Sequence, residues 1–215
     1  MAYRRTLKVA ARQEATRAGL MEAARVILAE GGFAAASAAE IAARAGVATG
    51  TLYRYFPSRE ALLLEVFRAV SDREMAHLES IASGPGRPHE RLRQVARAFV
   101  TRAARGLRQA RALLADPLDG ALAEARLAYR RRHAAIFERL LREAMAAGEI
   151  APLDARVTAA AIAGAIPSAL TLHGPDAPLD TAALAATVDR MAGLTPRSRT
   201  FGPAAPAPDT KDIAR

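Results

Sequence analysis

Between Gly32 and Leu62 the chain reads GFAAASAAEIAARAGVATGTLYRYFPSREAL, and this stretch constrains the fold more than any other. It contains two helix-forming runs, separated at Gly46 and closed by Pro57. Each run is too short to persist alone, because isolated helices under about 12 residues are marginal in water. They must therefore pack on each other and on a neighbour. Ser37-Ala-Ala-Glu40 opens the first run as a capping box, in which the hydroxyl takes an orphan N–H and Glu40 reaches back to the cap. Ile41, Ala42, Ala45, Val47, Leu52 and Phe56 are the apolar positions that lock the two runs together. A pair of short helices joined by a glycine turn is what a helix-turn-helix requires.

The rest of the chain reads as helix around this unit. Leu20, Ala23, Ala24, Ile27 and Leu28 recur at helical spacing and predict a helix over 12–30, stopped by Gly31-Gly32. The helix-turn-helix pair spans 37–45 and, from Thr49, the residues through Tyr55. Ser58 caps a long helix with an apolar stripe of Leu62, Leu63, Val66, Phe67, Val70 and Leu78. After a Gly/Pro loop at 83–88, further helices are expected at 89–105, 109–115, 118–147, 154–172 and 181–192. No run alternates with period two, so the fold class is all-α: an N-terminal three-helix helix-turn-helix domain joined by a long helix to a C-terminal helical ligand-binding and dimerisation domain. The boundaries expected are a flexible basic arm at 1–9 with Arg4, Arg5 and Lys8, a DNA-binding domain at 10–57, an effector and dimer domain at 58–194, and a disordered tail at 195–215.

Composition narrows the chemistry. The net charge is +9, with Lys8 and Lys211 the only lysines, and the pI is near 11.0. Such a charge suits a polyanionic partner, although a GC-rich coding genome would give the same arginine and alanine bias. The absence of cysteine excludes disulfides, thiolate zinc sites and cysteine nucleophiles. His77, His89, His133 and His173 form no pair at ligand spacing, so neither a metal nor a cofactor is expected. The sequence shows no signal peptide and no apolar run long enough to span a bilayer, so a cytoplasmic protein is expected. A catalytic site is likewise not expected, since no nucleophile–base pair or phosphate loop stands out.

The run Glu40-Ile41-Ala42-x-Arg44-Ala45-Gly46-Val47-x-x-Gly50-Thr51-Leu52-Tyr53-x-Tyr55-Phe56-x-Ser58-Arg59-Glu60-x-Leu62 resembles the DNA-binding signature of the TetR family of bacterial transcriptional regulators. The resemblance implies a homodimeric repressor, released from a double-stranded DNA operator when a small-molecule effector enters the C-terminal domain. Carried over residue by residue, it places Thr49 and Gly50 at the start of the recognition helix and Thr51, Tyr53 and Tyr55 at positions that touch phosphates or base edges. Arg54 stands on the same exposed face. Ser37 would donate to a phosphate, and Arg59 would clamp one. Ala38 and Ala39 depart from the hydroxyl or cation common among relatives, so recognition should lean on the third helix and the arm.

The second half carries fewer signals. Tyr129, His133 and Phe137 share an apolar helix face, and with Phe99 and Arg102 they outline an effector pocket; the alternative is that Tyr129 and His133 are ordinary semi-buried residues. Eight arginines between 87 and 111 face one acid, Glu90. Either they form a solvated face or Arg102 pairs with an anionic effector. The last two helices are rich in alanine, with Val157, Ile162, Ile166, Leu170, Leu184, Val188 and Met191 as apolar positions. The resemblance places a four-helix dimer seam there, while a monomer could fold the same helices onto its own core. Two competing functions, a nonspecific architectural DNA-binding protein and an enzyme using the C-terminal pocket, explain less of the chain.

Overall fold

The computed structural model describes residues 2–172 and 180–192, all of whose regular elements are helices. They are α1 (Ala2–Ala35), α2 (Ala38–Arg44), α3 (Thr49–Tyr55), α4 (Arg59–Ala82), α5 (Pro88–Arg105), α6 (Leu107–Leu114), α7 (Gly120–Ala146), α8 (Ala155–Leu172) and α9 (Thr181–Met191). His173, the expected loop at 174–178 and the expected tail at 195–215 lie outside the described residues.

The first helix departs from expectation. Residues 2–11, assigned mostly to a flexible arm, continue α1 without a break. Before Gly31 the segment contains no proline and only Gly19 as a weak helix former, so nothing in it interrupts the ladder. The C-terminal end falls where the sequence placed it: Gly32 adopts φ 71°, ψ −170°, a conformation that turns the chain out of the helix. Leu20, Ala24, Ile27 and Leu28 are buried on its inner side.

In the α2–α3 unit the Ser37 hydroxyl accepts from the Glu40 N–H at 3.1 Å. Only that half of the expected reciprocal cap is found, because the Glu40 carboxylate leans toward Arg44 at 3.8 Å. At the other end of α2, Gly46 at φ 69° donates to the Ala43 carbonyl at 3.1 Å, and Val47 donates to that of Ala42 at 3.0 Å. This paired closure satisfies two orphan carbonyls and reverses the chain. Ile41, Ala42, Leu52 and Phe56 are buried, and Ala45 and Val47 pack against them.

Ser58 caps α4 by accepting from Ala61 N–H at 3.1 Å. From there α4 runs against α1 at one end and α5 and α7 at the other. The core of the larger part forms between α4, α5 and α7, where Phe67, Leu78, Leu92, Phe99, Phe137 and Leu140 are buried. The helix α6 crosses between α5 and α1, while α8 lies along α7 and α9 along α5 and α8.

Candidate nucleic-acid interface and ligand pocket

Burial of Leu52 and Phe56 fixes which side of α3 faces solvent, because residues four apart share one helix face. Thr49, Gly50, Tyr53 and Arg54 are exposed, Thr51 and Tyr55 are half-buried, and Ser37 is exposed beside them at the start of α2. The two tyrosines differ: Tyr53 is 52% exposed, whereas Tyr55 packs partly on the core. The outward ridge offers hydroxyls, a guanidinium and, at Gly50, backbone without a side chain over it. Such groups suit phosphate oxygens and base edges. The Ser37 oxygen accepts from its own helix, and its O–H is still able to donate outward.

Arg59 is engaged within the protein itself. Its Nε donates to the Ala36 carbonyl at 2.6 Å, Nη2 donates to the Phe33 carbonyl, and Nη1 lies 3.4 Å from Glu60. The guanidinium is a tie between the start of α4 and the linker leading into α2. Three of its five N–H groups are thus engaged within the protein, which gives Arg59 a positioning role; the phosphate clamp that the resemblance implies would use the N–H groups that remain. Two further arginines hold the unit together and escaped the sequence reading. Arg17 lies over the Phe56 ring, 4.9 Å from its centroid, and pairs with Glu65. Arg44 reaches Glu30 at 2.8 Å, joining α2 to α1. Each partner is distant in sequence, so only the fold reveals them.

A cleft of about 430 Å³ opens between α1, α4, α5, α6 and α7. Its apolar wall consists of Phe67 and Val70 from α4, Phe99 and Ala103 from α5, Leu113 and Leu114 from α6, and Tyr129 from α7. Ser71, Glu74 and Gln109 add polar atoms, and Arg25, Arg73, Arg102 and Arg105 also line it. Of the expected pocket residues, Phe99, Arg102 and Tyr129 line the cleft. His133 and Phe137 do not. They lie one layer deeper, where the His133 ring sits 4.0 Å from Phe99, 6.2 Å from Tyr129 and 5.0 Å from Phe137. Phe99 and Tyr129 cover the histidine, which makes it part of the core. Burial pushes the His133 pKa down to about 3, so the ring is neutral near pH 7, and its Nε2 has no hydrogen-bond partner among the described residues. Burial, reinforced by Glu74, pushes the Tyr129 phenol upward.

The arginine-rich stretch is largely exposed, yet much of it is engaged in ion pairs and hydrogen bonds. Arg87 and the His89 N–H both hold Glu149, each at 2.9 Å, Arg91 reaches Glu143 at 2.7 Å and the Ala82 carbonyl at 2.6 Å, and Arg93 lies 3.4 Å from Asp189. Arg102 pairs with Glu74, and Arg108 donates to the Glu30 carbonyl at 3.3 Å. The missing acids come from α4, α7, α9 and the turn after α7. Thus α5 and α6 are stapled on several sides. In the last two helices Ile162, Leu184 and Val188 are buried within the subunit, while Val157 is 64% exposed. Ile166 and Leu170 are helical, within α8. Among the described residues no cluster of ligating side chains could hold a metal, and no helix is long and apolar enough to cross a membrane.

Comparison with known proteins follows the same division. The family model for bacterial regulatory proteins of the tetR family matches residues 20–66. That for the tetracyclin repressor-like C-terminal domain matches residues 85–193. The HTH-type transcriptional repressor KstR of Mycolicibacterium smegmatis is 38% identical over 80 residues, 37% of this chain and 39% of that protein. The match thus spans about two fifths of that relative's length. The chain is similar in fold to the transcriptional regulator FadR from Bacillus subtilis, solved in complex with stearoyl-CoA: TM-score 0.68, 23% identity, 81% of this chain and 96% of that one. It is also similar to AibR, solved with isovaleryl coenzyme A and operator DNA, with TM-score 0.61 and 22% identity over 81% of this chain and 97% of that one.

Proposed function

This chain belongs to the tetR family of bacterial regulatory proteins, and from that premise we propose that it is a homodimeric, sequence-specific transcriptional repressor, released from a double-stranded DNA operator by a small-molecule effector. The observation that carries the reading is the outward ridge of α3, held in place by buried Leu52 and Phe56. Thr49, Gly50, Thr51, Tyr53, Arg54 and Tyr55 would enter a major groove, with Ser37 on a flanking phosphate. Arg59 would act through the linker that it ties. Residues 10–57 form the DNA-binding unit in this reading and 58–194 the effector and dimer unit, with α4 serving both.

Two recognition helices are needed to cover half-sites one helical turn apart, about 34 Å. The last two helices, with Val157 standing out of the subunit, are the proposed seam. The cleft beside Phe99, Arg102 and Tyr129 is the proposed effector site; that FadR was solved with stearoyl-CoA and AibR with isovaleryl coenzyme A supports this reading. The protein would work in the cytoplasm, where its operator is, without catalysing a reaction.

Selection of binding sequences from a random duplex pool tests this directly. The expected product is a two-fold symmetric site, bound on the order of 10³-fold or more above random DNA. Tyr53→Ala should cost the selected site about 1–3 kcal/mol of affinity with folding intact. Equal affinity for every duplex would remove the regulator reading. Unchanged affinity in both Tyr53→Ala and Thr51→Ala would remove the contact assignment.

A further inference from the structure

The chemistry of the cleft points to a class of ligand. Its wall is apolar and aromatic, with Phe67, Phe99 and Tyr129 converging from three helices. Its charged lining is one-sided, because Arg25, Arg73, Arg102 and Arg105 meet a single acid, Glu74. The ion pairs sharpen that asymmetry. Arg25 is engaged by Glu22 through two bonds of 2.6 and 2.7 Å, and Arg102 holds one oxygen of Glu74. Among the described residues neither Arg73 nor Arg105 has an acid within 4 Å, Arg73 feeling Glu22 only at longer range, and both are exposed at the cleft.

We propose that the cleft takes an amphipathic anion, with its apolar body against Phe67, Phe99 and Tyr129 and its carboxylate or phosphate at Arg73 and Arg105, with Arg102 beside them. A cation entering the same space would find one acid, Glu74, with Oε2 held by Arg102 and only Oε1 left without a partner, against the positive charges of Arg73, Arg102 and Arg105. An uncharged apolar molecule would use the wall and gain nothing from the rim. An anion uses both. Arginine suits either head group, since its planar fork can donate two parallel bonds to a carboxylate or a phosphate. A cleft lined by one sign of charge and walled by low-dielectric side chains concentrates the opposite sign. The inference rests on the reading of this cleft as the effector site and adds the ligand's charge to it.

Four probes sharing one ten-carbon chain separate charge from hydrophobicity: decanoate, decyl phosphate, decanol and decyltrimethylammonium. Each is titrated calorimetrically into the full chain, below its micelle-forming concentration. Both anions should bind at least about tenfold more tightly than decanol and the cation at low salt, and the margin should shrink as salt screens the rim. Because Arg73 and Arg105 can each take an oxygen, decyl phosphate should exceed decanoate if a phosphate is the natural head; the reverse order identifies a carboxylate. In the Arg73→Gln/Arg105→Gln double variant, with its melting temperature recorded to confirm folding, the anions should fall to the level of decanol. Charge-blind binding, a preference for the cation, or an undiminished preference in the double variant would overturn the inference and leave the effector site standing. Failure of all four probes to bind would instead remove the cleft as an effector site.

Discussion

Arg59 shows how one side chain divides two explanations that sequence alone merges. A cation at the start of α4 could hold a phosphate, but here it donates to the carbonyls of Phe33 and Ala36, 26 and 23 residues earlier. Arg59→Ala should destabilise the fold by about 1–3 kcal/mol, because it leaves polar backbone without its charged donor. DNA affinity should fall equally for operator and random duplex. The dependence of log affinity on log salt is the deciding measurement: a lost phosphate contact reduces the slope by about 0.9, whereas a lost tie leaves it unchanged. We expect the unchanged slope. Glu149 is a second residue whose role is structural. Burial alone would raise its pKa, yet the N–H and ring of His89 and the guanidinium of Arg87 outweigh that and hold it at about 2. A carboxylate lowered in the folded state contributes stability above its ordinary range near 4.5 and loses it as pH falls from there toward 2. Melting temperature should therefore decline over that window, and Glu149→Gln should be less stable near pH 7 by about 1–3 kcal/mol with a flatter acid limb. An acid limb as steep as in the wild type would move the titrating group elsewhere.

The short helices test how backbone geometry carries a reading surface. Gly46 closes α2 at φ 69°, and a Cβ added there would meet nothing within 4 Å. The cost of replacing it is thus a backbone cost alone. Gly46→Ala should lose about 1–2 kcal/mol, the penalty for a left-handed L-residue, and Gly46→Asn should lose less, because asparagine tolerates that region. Denaturant unfolding of the two variants checks the order; equal losses would mean that contact rather than conformation is at stake. Elements of this kind were legible because their signals are local. Ser37, Gly46, Pro57 and Ser58 punctuate the chain, and the apolar period locates α5 at Pro88–Arg105 against an expected 89–105. The start of α1 was not legible, because no apolar period precedes Leu20 to mark a helix there. The fate of the arginines in α5 and α6 was hidden for another reason. Their acids, Glu74, Glu143, Glu149 and Asp189, lie on other segments, so a local count of charge does not reveal the ion pairs. His133 and Phe137 share the face of Tyr129 in any helical projection, and only the placement of Phe99 on a second helix decides that they are covered.

At the scale of the molecule, α6 joins the cleft to the end of α1, beside the reading unit. Gly106, Gln109, Leu113 and Leu114 face the cleft, while Arg108 donates to the Glu30 carbonyl and Asp116, just beyond α6, stands against Gly32, where an added Cβ would come within 2.9 Å of its carboxylate. The end of α1 at Gly32 leads directly into the linker that Arg59 ties and then into α2. A ligand seated between α6 and α4 must therefore press on the segment that sets the angle of the reading unit, provided that it binds the DNA-bound and released arrangements with different affinity. Linkage then fixes a quantitative expectation: the factor by which decyl phosphate weakens operator binding equals the factor by which operator weakens decyl phosphate binding. Arg108→Ala removes the direct bond from α6 to α1 without touching either site. It should leave operator affinity in the absence of ligand and ligand affinity in the absence of DNA within about twofold, while reducing the coupling between them by about 0.5–2 kcal/mol. Measurement of all four binding constants in wild type and variant checks both statements. Full coupling in the variant would exclude that bond as the route and leave α4, which borders the same cleft and carries Arg59 at its start, as the path by which occupancy reaches α3.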